Sequence, residues 1–354
     1  MLRRLFNKCL LRPLDFEPSQ PDLEVIGAFN PGAIATERGV TLLVRVAEQA
    51  AEKRPGKHGL PRYDLKEGRV VIDWKEEHAH APIDIRVVRK KRTGLVRLNF
   101  ISHFRVLHSQ DGHSFDSIEP VRFAPMHDYE EFGVEDPRIT RIGDVYYFTY
   151  VAVSRHGVST ALASTKDFRS FERHGIIFYP ENKDVVLFPE KIGGKYRALH
   201  RPNGATPFSK PEMWLATSND LISWGGHEHF LGGSAKWDIG RIGAGTPPVL
   251  TEQGWLEMYH GNSRGAEDQG IGTYSGGLLL LDRENPKKIL ACSGNIFNPV
   301  AEFERTGFVP DVVFPTGMVQ RGDTAMVYYG GADTCTAVVE FSMRDLLNCL
   351  TKCE

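Results

Sequence analysis

The sequence predicts an all-β protein, a five-bladed β-propeller with short helical extensions at its termini. Three observations lead there. Stretches with helical periodicity are few among the 354 residues. Runs of β-branched and aromatic residues follow Gly-containing turns, as in VYYFTYVAV after Gly143-Asp144. And one pattern of punctuation recurs five times along the chain.

That pattern is a residue before proline, a few residues more, a Gly-containing hairpin turn, and then a strand. Its copies begin at Asn30-Pro31, Asp136-Pro137, Phe188-Pro189, Thr246-Pro247 and Phe314-Pro315. They lie roughly 50 to 110 residues apart. The turns near Gly39 and at Gly143-Asp144, Gly193-Gly194, Gln253-Gly254 and Gly322-Asp323 suit hairpins that need positive φ. Proline fits the start of an early strand, where no ladder donor is required.

A second signature closes most copies: Ser/Thr-x-Asp-Leu/Phe-x-Ser-Phe/Trp. Asp167, Phe168 and Phe171 match Asp220, Leu221 and Trp224, with weaker versions at Asp111/Phe115 and Asp345/Leu346. There a strand ends in a polar turn whose apolar residue can fold back on the sheet. Each unit is too small to bury its own faces, so the units must stack on one another. A β-sandwich and a β-helix are the alternatives, and the long, varied repeats count against the β-helix.

The expected organisation has an N-terminal extension over 1–23, open to a short amphipathic helix. A single β domain follows over 24–345, with a Lys/Arg-rich insertion at 51–98 that reads as a solvated surface loop. A tail over 346–354 ends the chain. In the propeller reading the x-Pro sites converge on one rim of a central channel.

Composition narrows the function. Hydrophobic residues make up 41%, charged residues 25%, and the formal net charge is −2. No basic excess supports nucleic-acid binding. No apolar run approaches the roughly 18 residues of a membrane span, and the start MLRRLFNKCLLRPLDF lacks a continuous apolar core for a signal peptide. A cytoplasmic protein is the expectation, with the terminal segments available for a homo-oligomer. Five cysteines without a CxxC pair argue against a disulfide framework or a zinc site, and Cys349 and Cys353 read as reduced thiols. No metal is expected.

Around the repeats stand Asn30; Glu135, Asp136 and Arg138; Lys183, Asp184, His200 and Arg201; Arg241, Tyr259, His260 and Tyr274; and Asp311 and Asp333. They offer carboxylates, cations for an anion, and aromatic faces for a sugar. Taken alone, Asp136 is equally a turn starter, since Asp before Pro is common there.

Seven motifs then appear in order: NPGA, GVEDPRIT, KDVVLFPEKIGGKYRALHRP, GAGTPPVLTEQGWLEMYHG, YSGGLLLLD, VVFPTG and YYGGADT. Over about residues 24–340 the chain resembles glycoside hydrolase family 130, the β-mannoside phosphorylases and related β-mannosidases. The resemblance implies a five-bladed propeller. It implies an inverting phosphorylase in which inorganic phosphate, the co-substrate, attacks a β-mannoside to give α-mannose 1-phosphate. Asp136 would be the general acid, acting through a sugar hydroxyl.

By the same resemblance Arg201, Arg241 and Tyr274 would bind phosphate, with Lys183 and His200 as further phosphate candidates. The histidine that the family places a few residues after Arg201 is not evident in PNGATPFSK. Asn30, Arg45, Glu135, Arg138, His260, Asp311 and Asp333 are the candidates for the sugar. Phosphate carries its own negative charge, so cations stand where a hydrolase needs a second carboxylate. The competing readings are an inverting β-mannosidase and a non-catalytic sugar-binding propeller.

Overall fold

A computed structural model describes residues 2–115, 117–204, 208–233, 237–264 and 270–353. Among these residues strands dominate, and five antiparallel meanders of four strands account for most of them. Sheet I comprises Leu23–Thr36, Gly39–Ala50, Ile101–Ser109 and Ile118–Phe123. Sheet II comprises Val134–Ile142, Val145–Ser154, Gly157–Thr165 and Glu172–Phe178. Sheet III comprises Asn182–Leu187, Tyr196–Pro202, Met213–Ser218 and Trp224–Leu231. Sheet IV comprises Arg241–Ala244, Gly254–Asn262, Tyr274–Leu281 and Ile289–Cys292, with a short extra strand, Val249–Thr251. Sheet V comprises Val313–Arg321, Thr324–Gly331 and Cys335–Ser342, and its fourth strand is Phe6–Leu11 from the other end of the chain.

That last strand corrects the helical expectation for the N-terminal extension. FNKCLL pairs antiparallel with Cys335–Ser342, and Arg4 reaches the buried Glu304 at 2.6 Å. The short helix Met343–Asn348, capped by Ser342, is the one terminal α-helix among the described residues, and the N-terminal extension holds only a single 3-10 turn, Pro13–Asp15. The insertion is not an unstructured loop. It folds into a hairpin, Lys57–Asp64 with Arg69–Glu76, and a three-stranded sheet, His80–Asp84, Val87–Lys90 and Val96–Leu98. The cysteine reading also needs correction, because Cys353 is disulfide-bonded to Cys292 and Cys349 is free. The two halves of this bond are brought together by backbone pairing of Cys292 with Thr351, which no local sequence pattern announces. No helix among the described residues is long and apolar enough to cross a membrane.

The hydrophobic core is divided, and the division follows the order of the sheets. Leu43, Phe104 and Val106 of sheet I pack on Ile139, Phe148 and Tyr150 of sheet II. Leu162 of sheet II meets Val185 and Ala198 of sheet III. Leu199 and Leu215 of sheet III meet Tyr259 and Leu279 of sheet IV. Met258 and Leu278 of sheet IV meet Val327 and Val339 of sheet V. Val319 and Tyr328 of sheet V then meet Ala28 and Leu42 of sheet I. Each sheet therefore buries both faces against its neighbours, which explains why both alternating positions of the central strands are apolar. Threonine hydroxyls stitch the seams: Thr149 to the Val185 carbonyl at 2.5 Å, Thr140 to Leu187 at 3.2 Å, and Thr316 to Pro31 at 2.7 Å.

The polar turns after the third strands form as the sequence signature indicates. Asp167 Oδ1 accepts the backbone N–H groups of Arg169 and Ser170, and Asp220 Oδ1 those of Ile222 and Ser223. Phe168 and Leu221 take positive φ of 57° and 71° and are buried. Asp282 does the same in sheet IV, accepting from Glu284 and Asn285. The sequence pattern missed it because no apolar residue follows.

Candidate functional site

The first strands of sheets I, II and III are each interrupted by a two-residue bulge. In sheet I the register jumps from Phe29↔Arg45 to Gly32↔Leu43, leaving Asn30 and Pro31 in the bulge. In sheet II it jumps from Glu135↔Val151 to Arg138↔Thr149, leaving Asp136 and Pro137. In sheet III it jumps from Lys183↔Arg201 to Val186↔Leu199, leaving Asp184 and Val185. The first bulge residue is left-handed each time: φ is 49° at Asn30, 51° at Asp136 and 55° at Asp184. Only Asn, Asp and Gly adopt this conformation readily. The structural counterpart of Asp136 in sheet III is therefore Asp184, not the Phe188-Pro189 pair that the sequence pattern selects. A bulge re-aims a side chain, and these three re-aimed side chains belong to one polar network.

Asp136 is buried. Its Oδ1 accepts from Asn30 Nδ2 at 2.8 Å and from Arg45 Nη1 at 2.8 Å. Arg45 Nη2 also donates to Glu135 at 2.7 Å, and its Nε to Ser102 at 3.1 Å. The rings of Phe29 and Phe100 flank the guanidinium, with centroids 4.6 and 5.5 Å away. Burial alone would raise the Asp136 pKa. Arg45, Arg138, the Asn30 amide and Lys183 outweigh it and hold the carboxyl below its ordinary range. Glycine makes room for this arrangement: a Cβ on Gly330 would lie 1.8 Å from Asn30 Oδ1.

Arg138 ties the two carboxylate bulges together. Its Nη1 donates to the Asp136 backbone carbonyl at 2.8 Å, its Nε to the Gly245 carbonyl at 3.3 Å, and its Nη2 to Asp184 Oδ1 at 3.4 Å. At 1% exposure it holds the frame and has little surface to offer a ligand. Asp184 Oδ2 then meets Arg201 Nη1 at 2.7 Å and His260 Nε2 at 3.2 Å. Burial would raise the Asp184 pKa, but Arg201 and the other donors drive it far below the ordinary value. Burial also pushes the His260 pKa down despite the nearby Asp184 carboxylate. A Cβ on Gly243 would come 2.5 Å from Asp184 Oδ2.

Burial, together with the like charge of Arg241, lowers the proton affinity of Arg201 against the opposing pull of Asp184 and Tyr274. Arg201 Nε and Arg241 Nε are both buried with no hydrogen-bond partner among the described residues. A buried donor without a partner costs about 1–3 kcal/mol, and two such donors on guanidinium groups that feel each other's charge suit an anion. Tyr274 lies against this corner, its ring 6.1 Å from His260 and 5.9 Å from Phe314.

The remaining candidates fall as follows. Lys183 is part-exposed, and its Nζ lies 3.6 Å from Glu135 Oε2, which places it on the carboxylate side of the network. Asp333 is at the edge of the Asp136 cluster. Burial raises its pKa to about 6, with Asp136 and Glu135 adding to the rise against Arg86 and Arg45. Asp311 is exposed and lies 3.9 Å from Arg305, while its backbone carbonyl accepts from Tyr274 N at 3.1 Å. His200 stands apart from this corner. Strand alternation turns it away from Arg201, and it bonds Asn182 at 3.0 Å and His227 at 3.1 Å while stacking on Phe178. Burial and His227 lower its pKa to about 3, so it has no charge to give an anion. The PNGATPFSK loop after Arg201 lies partly outside the described residues. Sequence reasoning gave no role to Asp184 and missed Ser102 and the Phe29/Phe100 clamp.

The family model described as beta-1,4-mannooligosaccharide phosphorylase matches residues 96–352. A beta-1,2-mannobiose phosphorylase of Listeria innocua is 41% identical over 96% of this chain and 95% of its own length. A 1,2-beta-oligomannan phosphorylase of Thermoanaerobacter is 36% identical over 70% of this chain and 81% of its own. The solved structure of the Listeria enzyme with beta-1,2-mannobiose superposes with a TM-score of 0.89 at 40% identity, covering 96% of both chains. On this evidence the chain belongs to glycoside hydrolase family 130 and is a glycoside phosphorylase.

Proposed function

We propose that the protein cleaves β-1,2-linked mannobiose with inorganic phosphate, inverting the anomeric centre to give α-mannose 1-phosphate and mannose. The observation that carries phosphate as nucleophile is the pair of buried, partnerless Nε donors on Arg201 and Arg241. A hydrolase would need a carboxylate base in that corner to activate water. The carboxylate there, Asp184, is ion-paired with Arg201 and Arg138.

Asp136 is the acid in this reading. In the protein without substrate its carboxylate is ionised, because Arg45 and Arg138 offset its burial. Phosphate arriving at Arg201 and Arg241 brings negative charge into the same network and raises the proton affinity of Asp136. A proton passed through a sugar hydroxyl to the glycosidic oxygen then accompanies attack by phosphate from the opposite face. The β-1,2 linkage rests on the relatives. The alignment to the Listeria enzyme leaves too little of the chain uncovered to omit the 51–98 insertion.

We further read the five sheets as blades of a five-bladed propeller around the site. Supporting this, each large hydrophobic cluster joins consecutive sheets, and one joins the fifth to the first.

The test is incubation with β-1,2- and β-1,4-mannobiose, with and without inorganic phosphate, and assay of mannose 1-phosphate. Product from the β-1,2 disaccharide only with phosphate supports the proposal. Preference for the β-1,4 isomer overturns the linkage, and free mannose released equally without phosphate overturns phosphorolysis.

A further inference from the structure

The insertion carries a cation to the site that no repeat motif contains. Its three-stranded sheet turns between His80–Asp84 and Val87–Lys90, and Arg86 sits in that turn. Asp84 grips the guanidinium as a fork, Oδ2 to Nη2 at 2.8 Å and Oδ1 to Nε at 3.3 Å, and Oδ1 also accepts the Arg86 backbone N–H at 2.8 Å. The turn is pinned at its base. Asn99 N donates to the Arg86 carbonyl at 3.0 Å, and Asn99 Nδ2 to the Ile85 carbonyl at 2.6 Å.

Asn99 lies between Leu98 and Phe100, and both neighbours belong to the wall of the site. Leu98 packs against Phe29 and Phe100, the rings that flank Arg45, and also against Phe132 beside the Asp136 motif. The turn is thus rooted in the wall beside the site. Arg86 lies within electrostatic reach of both Asp333 and Tyr274, groups from two different sheets. Its side chain is 33% exposed, so a face remains open.

We infer that Arg86, oriented by Asp84, is a substrate-binding residue that hydrogen-bonds hydroxyl groups of the leaving sugar at the mouth of the site. The inference rests on the phosphorolysis reading above. A sugar hydroxyl suits the position better than phosphate does. Asp84 bonds Arg86 and Asp333 lies within electrostatic reach of it; both carboxylates would repel an anion, whereas alternating donors and acceptors match vicinal hydroxyls. Phosphate has its own cations in Arg201 and Arg241.

The experiment is steady-state kinetics of wild type, Arg86→Ala and Arg86→Lys in both directions: phosphorolysis of β-1,2-mannobiose, and synthesis from mannose 1-phosphate with mannose as acceptor. Arg86→Ala is expected to raise the KM for mannose and for mannobiose by about 10-fold or more, the loss of a charge-assisted hydrogen bond. The KM for phosphate and the thermal midpoint should stay near wild type, with Arg86→Lys intermediate. A selective rise in the phosphate KM would overturn the inference, as would unchanged acceptor KM in a folded Arg86→Ala protein. Lack of mannose 1-phosphate chemistry in the wild type would instead refute the phosphorolysis reading itself.

Discussion

Asp333→Asn should make the protein more stable at pH 8 and less active. Burial beside Asp136 and Glu135 raises the Asp333 pKa from the ordinary 3.8 to about 6. A carboxyl whose folded pKa lies above its unfolded one takes up a proton on folding. Its penalty is absent below about pH 4, grows as pH rises toward 6, and is fully present above that. Each tenfold change in proton affinity is about 1.4 kcal/mol, so the rise bounds the penalty at about 3 kcal/mol. Asp333 is partly exposed, and solvent screening brings this to about 1–2 kcal/mol. Asparagine keeps the shape and removes the charge. Thermal unfolding of both proteins between pH 4 and 8 checks this: the midpoints should coincide near pH 4, and the variant should lead by a few degrees at pH 8. A gap that does not change with pH, or a wild type more stable at pH 8, would refute the reasoning. A loss of turnover alongside the gain in stability would mark Asp333 as a residue kept for its chemistry.

Other substitutions probe the rest of the network. Asp136→Asn should abolish mannose 1-phosphate formation, a loss of at least about 10³-fold, and lower stability because Glu135 is then the one carboxylate left bonded to Arg45; turnover within tenfold of wild type would exclude Asp136 as the acid. Arg241→Ala should raise the KM for phosphate by about 10-fold or more while sparing the mannobiose KM, since it removes one charge-assisted anion contact. Gly330→Ala should drive a Cβ into Asn30 and cut activity sharply in a folded protein, read by turnover and thermal midpoint together. Arg4→Ala should destabilise the protein by about 1–3 kcal/mol through the buried Glu304 it leaves behind, without changing either KM.

The sequence made some of this site plain and hid the rest for identifiable reasons. Asn30-Pro31 and Asp136-Pro137 stood out because proline marks the bulge. The third bulge, Asp184-Val185, has no proline, so the pattern settled on Phe188-Pro189 at the end of the strand. Arg201 and Arg241 were readable as cations near the repeats, but their shared corner depends on how sheets III and IV pack. His200 stands apart from Arg201 for a simple geometric reason that one-dimensional proximity hides: adjacent strand residues face opposite ways. Arg86 belongs to no repeat and gains meaning only when the insertion's root packs on Phe29 and Phe100. The strand Phe6–Leu11 was missed because its partner lies at the far end of the chain, beyond any local periodicity.

That distant pairing has a consequence for synthesis. Phe6–Leu11 leaves the ribosome long before its partner Cys335–Ser342. At roughly 5–20 residues per second, the early strand waits on the order of half a minute with no ladder to join. During that interval four sheets can form while the fifth cannot, and sheet I lacks the neighbour that covers Ala28 and Leu42. The nascent protein is then an open chain of β-layers with apolar faces at both ends, the state most exposed to chaperones and to pairing with another copy. Closure by the last strand converts that vulnerable intermediate into an enzyme in one late event.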